Sequence, residues 1–222
     1  MARFLSPDSK FYSALSLAAD LVIINVLFVV SCFPVFTVGL SARTAHQVIG
    51  QMVREEGSRP ARTFIRNLLS RPVPAFAWGI IALALVALGL YELVVFNRAG
   101  LSTGLRIALT ASLLSGLLLF TGITQWFFHL EGRAAEVHAA EVHAAAPQAP
   151  EATFPQRFTQ SVQFCFGRFG QTAMAVLPWV VLVGLPLVVP SGLGMVVFFY
   201  LVIGPALAIY LSELALHWHE IN

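Results

Sequence analysis

Five runs of mostly apolar residues, each about as long as a membrane is thick, constrain this chain more than any other feature. They cover residues 14–40, 74–96, 105–130, 172–189 and 192–216. A helix needs about 20 such residues to cross a hydrocarbon core of about 30 Å. The runs are apolar at successive positions rather than at alternate ones, which excludes short lipid-facing strands. The sequence therefore predicts an all-α polytopic bundle of about five transmembrane helices, forming a single membrane domain over residues 1–222.

The composition excludes the alternative of a water-soluble domain. Of the 222 residues, 58% are hydrophobic and 11% are charged, and the mean hydropathy is +0.80. A soluble surface needs roughly 25–35% charged residues, so this chain has too few to cover itself. The formal net charge of +2 is too small to indicate a nucleic-acid partner. We therefore expect the lipid bilayer to be the main surroundings of the chain.

The distribution of basic residues predicts how the chain is oriented. Residues 41–73 and 131–171 contain nine arginines, whereas the N-terminal tail and the loop at 97–106 contain four basic residues. Because short cytoplasmic loops are rich in Lys and Arg, we expect both long connections and the C-terminus in the cytoplasm and the N-terminus outside. A first helix that is re-entrant or split at Pro34 is the alternative, in which the N-terminus could return to the cytoplasm without disturbing the other four spans.

Two segments of the cytoplasmic connections have the pattern of amphipathic helices. Their apolar stripes are Phe64, Ile65, Leu68 and Leu69 in the first segment, and Phe158, Val162, Cys165, Phe166 and Phe169 in the second. Arginines lie largely outside the first stripe. This pattern is typical of helices that lie in the headgroup plane with their apolar face toward the acyl chains. We predict two cytoplasmic interfacial helices.

A low-complexity insert at residues 134–153 separates the third and fourth spans. The pentapeptide AAEVH occurs twice in succession, and an Ala- and Pro-rich stretch follows. His138 and His143 are five positions apart and therefore lie on different faces of a helix, unlike the pair spaced by four that binds zinc. We expect a short helix and a flexible linker here, with no metal.

Three acidic residues lie within or at the ends of the apolar runs: Asp20, Glu92 and Glu213. Charged groups in spans usually face the bundle interior or water. Asp20 and Glu92 fall toward the outer side, and Asn25 lies about one turn below Asp20. A polar site between the first and second spans is one interpretation, and carboxylates that simply reach water are the other. For Glu213 we favour contact with water.

Small residues spaced by four positions predict close helix contacts, either within the bundle or between copies. They are Ala108, Ser112 and Gly116 in the third span, and Gly204, Ala208 and Ser212 in the fifth.

Motifs of the common enzyme classes are missing from the sequence. It has no Gly-x-Ser-x-Gly, no His-Glu-x-x-His, no Gly-rich dinucleotide turn and no Cys-x-x-Cys. Its single lysine, Lys10, does not follow a Gly-rich turn, so no Walker A loop is present. We expect no enzyme activity, no cofactor and no catalytic residues.

The first 95 residues resemble the YesL-like family of bacterial integral membrane proteins, a domain of unknown function. The resemblance depends on Asp20, on the Pro34-x-x-Thr37-x-Gly39 exit from the first helix, and on the Arg-Glu-Glu-Gly turn at 54–57. The second half is similar only in its hydropathy and its Phe-rich helix, and the AAEVH insert departs from the family pattern.

The resemblance implies a protein of the bacterial cytoplasmic membrane with five or six spans. Genes of this family often lie beside genes for carbohydrate importers of the ABC type. This implies an accessory subunit whose partners include the importer's permease subunits. A small autonomous transporter with a polar site around Asp20 and Asn25 is the alternative, and a membrane-bound enzyme is the least favoured. The sequence does not identify a substrate or an oligomeric state.

Overall fold

The computed structural model describes residues 10–56, 59–70, 72–144, 152–188 and 192–217, and this part of the chain is helical with no strand. Within these ranges nine α-helices follow one another, with a short 3-10 turn at Val35–Thr37. They are α1 (Lys10–Ser31), α2 (Val38–Val53), α3 (Pro60–Asn67), α4 (Pro72–Arg98), α5 (Thr103–Ala144), α6 (Phe154–Gly167), α7 (Phe169–Val188), α8 (Leu193–Val202) and α9 (Gly204–His217). The predicted all-α fold is confirmed.

In the described part of the chain, four helices are long and apolar enough to cross a membrane: Phe11–Ser31, Pro72–Arg98, Thr103–Val142 and Phe169–Pro186. Helices α8 and α9 make a fifth span if the pair, bent by 61°, is counted as one. Only 6% to 17% of the residues in the most apolar stretches of the four helices are buried within the protein. Their remaining apolar surface needs a lipid solvent, which fits a multi-pass membrane protein.

The first predicted span is shorter in the structure than in the sequence analysis. Helix α1 ends at Ser31, and the chain turns at Pro34 before α2 begins at Val38. The Thr37 hydroxyl lies within hydrogen-bonding distance of the Ser31 and Pro34 carbonyl oxygens. Thr37 therefore offers one donor to the carbonyls that the helix can no longer pair, as Ser and Thr do in broken membrane helices. The first predicted span is therefore broken at Pro34, but the part before the break, Phe11–Ser31, is still long enough to cross a membrane.

Helix α2 is the main departure from the sequence analysis, which treated residues 41–73 as a connection with one surface helix. Every residue from Gly39 to Gly50 except Ala42 is buried, and α2 packs against α4, α5 and α9. Where α2 meets α4, a Cβ on Gly39 would lie 2.0 Å from the Ala75 carbonyl oxygen and 2.8 Å from the Gly79 Cα. Only glycine allows this close approach.

Apolar side chains of α2 contribute to two of the three core clusters. One cluster contains Leu21 and Ile24 of α1, Ala45, Val48 and Ile49 of α2, Phe64 of α3, and Ala206 and Ile209 of α9. A second surrounds Trp78, which stacks on Phe127 at 4.8 Å between ring centroids, and includes Leu40 of α2. The protein interior is therefore organised around α2 rather than around a pair of spans.

The two predicted surface helices exist as α3 and α6, but only part of each predicted apolar stripe is exposed and the rest is buried in the protein. In α3, Phe64 is buried in the core, whereas Ile65 is 64% exposed and Leu69 is 73% exposed. In α6, Cys165 is buried, whereas Phe166 is 58% exposed. The prediction that each helix turns its whole apolar stripe toward lipid is therefore wrong, because each helix packs on the protein through part of that stripe.

The AAEVH repeat is a continuation of the third span. Helix α5 has 42 residues and runs without a break from Thr103 through both repeats to Ala144. At about 1.5 Å per residue its length is about 63 Å, roughly twice the hydrocarbon thickness. The predicted linker after the repeat lies largely outside the described residues.

Candidate functional site

The most concentrated polar feature of the interior is a buried carboxylate held by two imidazoles. Glu213 Oε1 lies 2.6 Å from His46 Nδ1, and Glu213 Oε2 lies 2.8 Å from His129 Nδ1. The three residues are 2%, 3% and 7% exposed, respectively. Because Glu213 belongs to α9, His46 to α2 and His129 to α5, this His–Glu–His cluster joins three helices.

The surroundings of the cluster are dry and closely packed. His46 stacks on Phe128 with 5.8 Å between ring centroids, and Trp126 meets His129 edge-on at 5.8 Å. A Cβ on Gly50 would lie 3.3 Å from Glu213 Oε2, so glycine brings the backbone of α2 close to the carboxylate. In such low-dielectric surroundings a satisfied ionic group is strongly held, and an unsatisfied one is costly.

Further ion pairs extend the polar region. Arg54, just after α2, contacts Glu136 of α5 at 2.6 Å and Glu56 at 2.8 Å. The hydrogen bond from Arg54 lowers the pKa of the exposed Glu56 carboxyl. Arg157 of α6 contacts the buried Glu131 of α5 at 2.8 Å. Together with the His–Glu–His cluster, these pairs form a layer that connects α2, α5, α6 and α9, and we call it the polar layer.

Arg43 is also fully buried, but its contacts are with the end of α3 rather than with the polar layer. Its guanidinium donates to the carbonyl oxygens of Asn67 and Ser70, and its fractional exposure is 0%. These carbonyls lie at the C-terminal end of α3, where the helix leaves acceptors unpaired and the dipole is negative. Arg43 therefore fixes α3 against α2.

The chemistry that this arrangement permits is narrow. Both Nδ1 atoms of the cluster are engaged by one carboxylate. In the described ranges no group of three or more His, Cys, Asp and Glu side chains has the geometry of a metal site. The cluster is therefore suited to holding helices together.

Asn25, one of the residues singled out in the sequence, repairs a broken helix. Its side-chain amide donates to the carbonyls of Tyr200 at 3.0 Å and Leu201 at 2.9 Å, and its oxygen accepts from the Ala206 N–H at 2.9 Å. Pro205 has no N–H to offer the carbonyl of Leu201 four residues earlier. Asn25 thus supplies partners that the bend between α8 and α9 removes.

Asp20 and Glu92 do not join Asn25 in one site. Both carboxylates are half-buried, but α1 packs mainly on α2, α3, α8 and α9, whereas α4 packs mainly on α2 and α5. Helices α1 and α4 both pack on α2 but not closely on each other, so the first and second predicted spans are separated. The structure therefore does not assemble the polar site expected between them.

Glu213 was expected to contact water, but in the structure it is buried and only 2% exposed. That expectation is wrong because His46 and His129 lie opposite its carboxylate. Nothing in the sequence next to either histidine marks it as part of a site. Their separations from Glu213 are 167 and 84 positions, so no local motif connects them.

The two sets of small residues have different surroundings. Gly204, Ala208 and Ser212 are buried on α9, and the Ser212 hydroxyl donates to the Ala175 carbonyl of α7 at 2.7 Å. Ala108, Ser112 and Gly116 are exposed on α5, so they do not line a contact within this chain.

Comparison of the chain with protein-family models, with curated proteins and with solved structures finds no match. The resemblance to the YesL-like family therefore stays a prediction from the sequence. Of the residues that carry it, Pro34 and Thr37 lie at the break between α1 and α2, and Gly39 lies at the contact between α2 and α4.

Proposed function

We propose that this chain is a non-enzymatic accessory subunit of a carbohydrate importer of the ABC type in a bacterial cytoplasmic membrane. The observation that carries the proposal is that the buried polar groups of the cluster bind one another. Both oxygens of Glu213 are occupied by imidazoles, so this carboxylate is not open to a substrate. A membrane protein in which these three side chains bind one another and join three helices is suited to binding a partner.

The proposed orientation follows the arginine distribution. Residues 41–73 and 131–171 and the C-terminus face the cytoplasm, and the N-terminus faces outward. The polar layer then lies at the cytoplasmic end of the bundle, together with α3 and α6.

Autonomous transport receives less support from the geometry. Asn25 was the amide expected in a transport path, but both its N–H groups and its oxygen bind the backbone of α8 and α9. A solute would have to displace bonds that hold a bent helix together.

The surface best suited to the partner is the exposed aromatic edge of α6 and α7. Phe158, Phe166 and Phe169 are 39%, 58% and 73% exposed, and the last two line a groove of about 390 Å³. Aromatic side chains are enriched at protein interfaces. We therefore place the contact with the permease at this edge.

The test is co-expression of the tagged chain with the permease subunits of a carbohydrate importer encoded beside it, followed by purification in mild detergent. We expect the wild type to retain the permease and the variant F166S/F169S to lose most of it. The variant I65S/L69S changes two similarly exposed apolar residues, Ile65 on α3 and Leu69 just after it, and serves as the control that keeps the permease. Intact protein that recovers no permease, or equal recovery by all three proteins, contradicts the proposal.

A further inference from the structure

Three exposed arginines at α3 have no carboxylate partner among the described residues. Arg59, Arg62 and Arg66 are exposed, and the polar contact recorded for their guanidiniums is Arg66 Nε with Asn67 Oδ1 at 3.5 Å. Arg54 and Arg157, by contrast, bind carboxylates at 2.6 and 2.8 Å. Arg59, Arg62 and Arg66 therefore form an exposed cationic row at α3, whereas the more buried Arg54 and Arg157 are paired.

Exposed apolar side chains lie on the same helix face. Ile65 is 64% exposed and Leu69 is 73% exposed, whereas Phe64, one position away, is buried. Residues four apart are neighbours on a helix, so Arg62 and Arg66 form one row and Ile65 and Leu69 form the next. This face offers cationic heads and aliphatic side chains side by side.

The position of α3 brings this face to the edge of the membrane. The helix ends at Asn67, and α4, which is long and apolar enough to span, begins at Pro72. Phe64 and the Arg43 contacts fix the opposite side of α3 to the core. The outward face is therefore held in a fixed position where a span leaves the hydrocarbon.

We propose that this face, consisting of Arg59, Arg62, Ile65, Arg66 and Leu69, is a binding site for anionic phospholipid. The guanidiniums bind the phosphate oxygens, which they match with paired N–H donors. Ile65 and Leu69 contact the upper acyl chains, where a helix in the interface buries its apolar residues. An acidic protein surface would pair with the arginines but would give these two aliphatic side chains no apolar surroundings. The inference does not depend on the importer partner.

The first test measures lipid binding to the purified full-length chain in detergent by native mass spectrometry. Phosphatidylglycerol and phosphatidylcholine are titrated separately onto the wild type and onto R62Q/R66Q. Each arginine removed should weaken phosphatidylglycerol binding about fivefold, and the pair about thirtyfold, since one basic residue at an anionic surface contributes roughly that factor. Phosphatidylcholine binding should change little.

The matched control is R98Q/R106Q, which removes two exposed arginines at the opposite end of the α4–α5 hairpin. It should retain the wild-type affinity for phosphatidylglycerol. Equal losses of phosphatidylglycerol affinity in the two double variants would overturn the proposal, because the binding would then be a general effect of charge. No loss in R62Q/R66Q would overturn it as well, because these arginines would then not bind the lipid.

The second test distinguishes a bilayer from a protein partner. A nitroxide is attached at L69C in a C32S/C165S background, and the protein is reconstituted alone in vesicles containing phosphatidylglycerol. The label should collide more often with oxygen than with a water-soluble nickel complex. The control V137C, at a valine that is 58% exposed on the long extension of α5, should show the reverse. A label at position 69 that is as accessible to nickel as the control would exclude the lipid site and favour an acidic protein surface.

Discussion

Glu213 shows how a carboxylate can be stable in the interior of a protein with so few charges. Each of its oxygens accepts a hydrogen bond from an imidazole Nδ1, and the aromatic side chains around it exclude water. The arrangement is stable only while all three partners are present, because loss of one leaves a desolvated polar group unpaired.

We predict that Glu213→Gln destabilises the protein by about 3–5 kcal/mol, the usual cost of breaking a buried ion pair. The amide keeps the shape of the side chain, but its NH2 group faces an imidazole that was donating to an oxygen. Unfolding by denaturing detergent in mixed micelles measures the change.

The control for Glu213→Gln is Glu92→Gln, because Glu92 is half-buried on α4 and has no hydrogen bond recorded within the described residues. Its substitution should change the free energy of unfolding by about 0.5 kcal/mol or less. Equal effects of the two substitutions would show that the cluster does not hold the helices together.

Individual polar residues in apolar runs are visible in a sequence, but their partners are not. Asp20, Asn25, Glu92 and Glu213 are all evident from local composition. Asn25 binds groups 175, 176 and 181 positions away, and no spacing rule connects residues so distant. The sequence could therefore locate polar positions, while their pairing depended on how the helices pack.

At the scale of elements, a helix could be predicted from the sequence when its own residues are apolar enough to indicate its position. Helices α4, α5 and α7 are long apolar runs, and their position was predicted to within a few residues except where α5 continues into the repeat. Helix α2 is buried but contains Arg43, Thr44, His46 and Gln47, so its hydropathy is that of a surface segment. Its burial depends on partners in α3, α5 and α9, which a window along the sequence does not include.

The contact between α2 and α4 gives a prediction about one glycine. Gly39→Ala places a Cβ 2.0 Å from the Ala75 carbonyl oxygen, so the two helices must separate. We expect a loss of about 1–3 kcal/mol, as for other overpacked interiors, measured as a lower unfolding midpoint in detergent.

The control for Gly39→Ala is Gly116→Ala, because a Cβ there meets nothing within 4 Å. Alanine is also the better helix former, so the midpoint should stay the same or rise slightly. If Gly116→Ala instead lowers both the midpoint and the apparent size of the particle, the exposed small residues of α5 pack against a second copy.

At the scale of the whole molecule, the helices fall into two zones with different solvents. The apolar stretches of α1, α4, α5 and α7 bury few residues within the protein and expose the rest. The polar layer and α3, in contrast, satisfy Arg43, Glu131 and Glu213 internally. Because α5 is about 63 Å long, its C-terminal part extends beyond a hydrocarbon core of about 30 Å. The polar layer thus lies at one face of the membrane.

Which face this is can be tested with two single cysteines in a C32S/C165S background. Ser102 lies in the exposed turn between α4 and α5, and Thr159 is exposed on α6. With the arginine-rich connections in the cytoplasm, a membrane-impermeant maleimide should label S102C in intact spheroplasts and T159C only after lysis. The reverse pattern would place the nine arginines of the two long connections outside. The orientation of the α6 edge proposed for the permease would then be wrong as well, because both conclusions depend on the same sidedness.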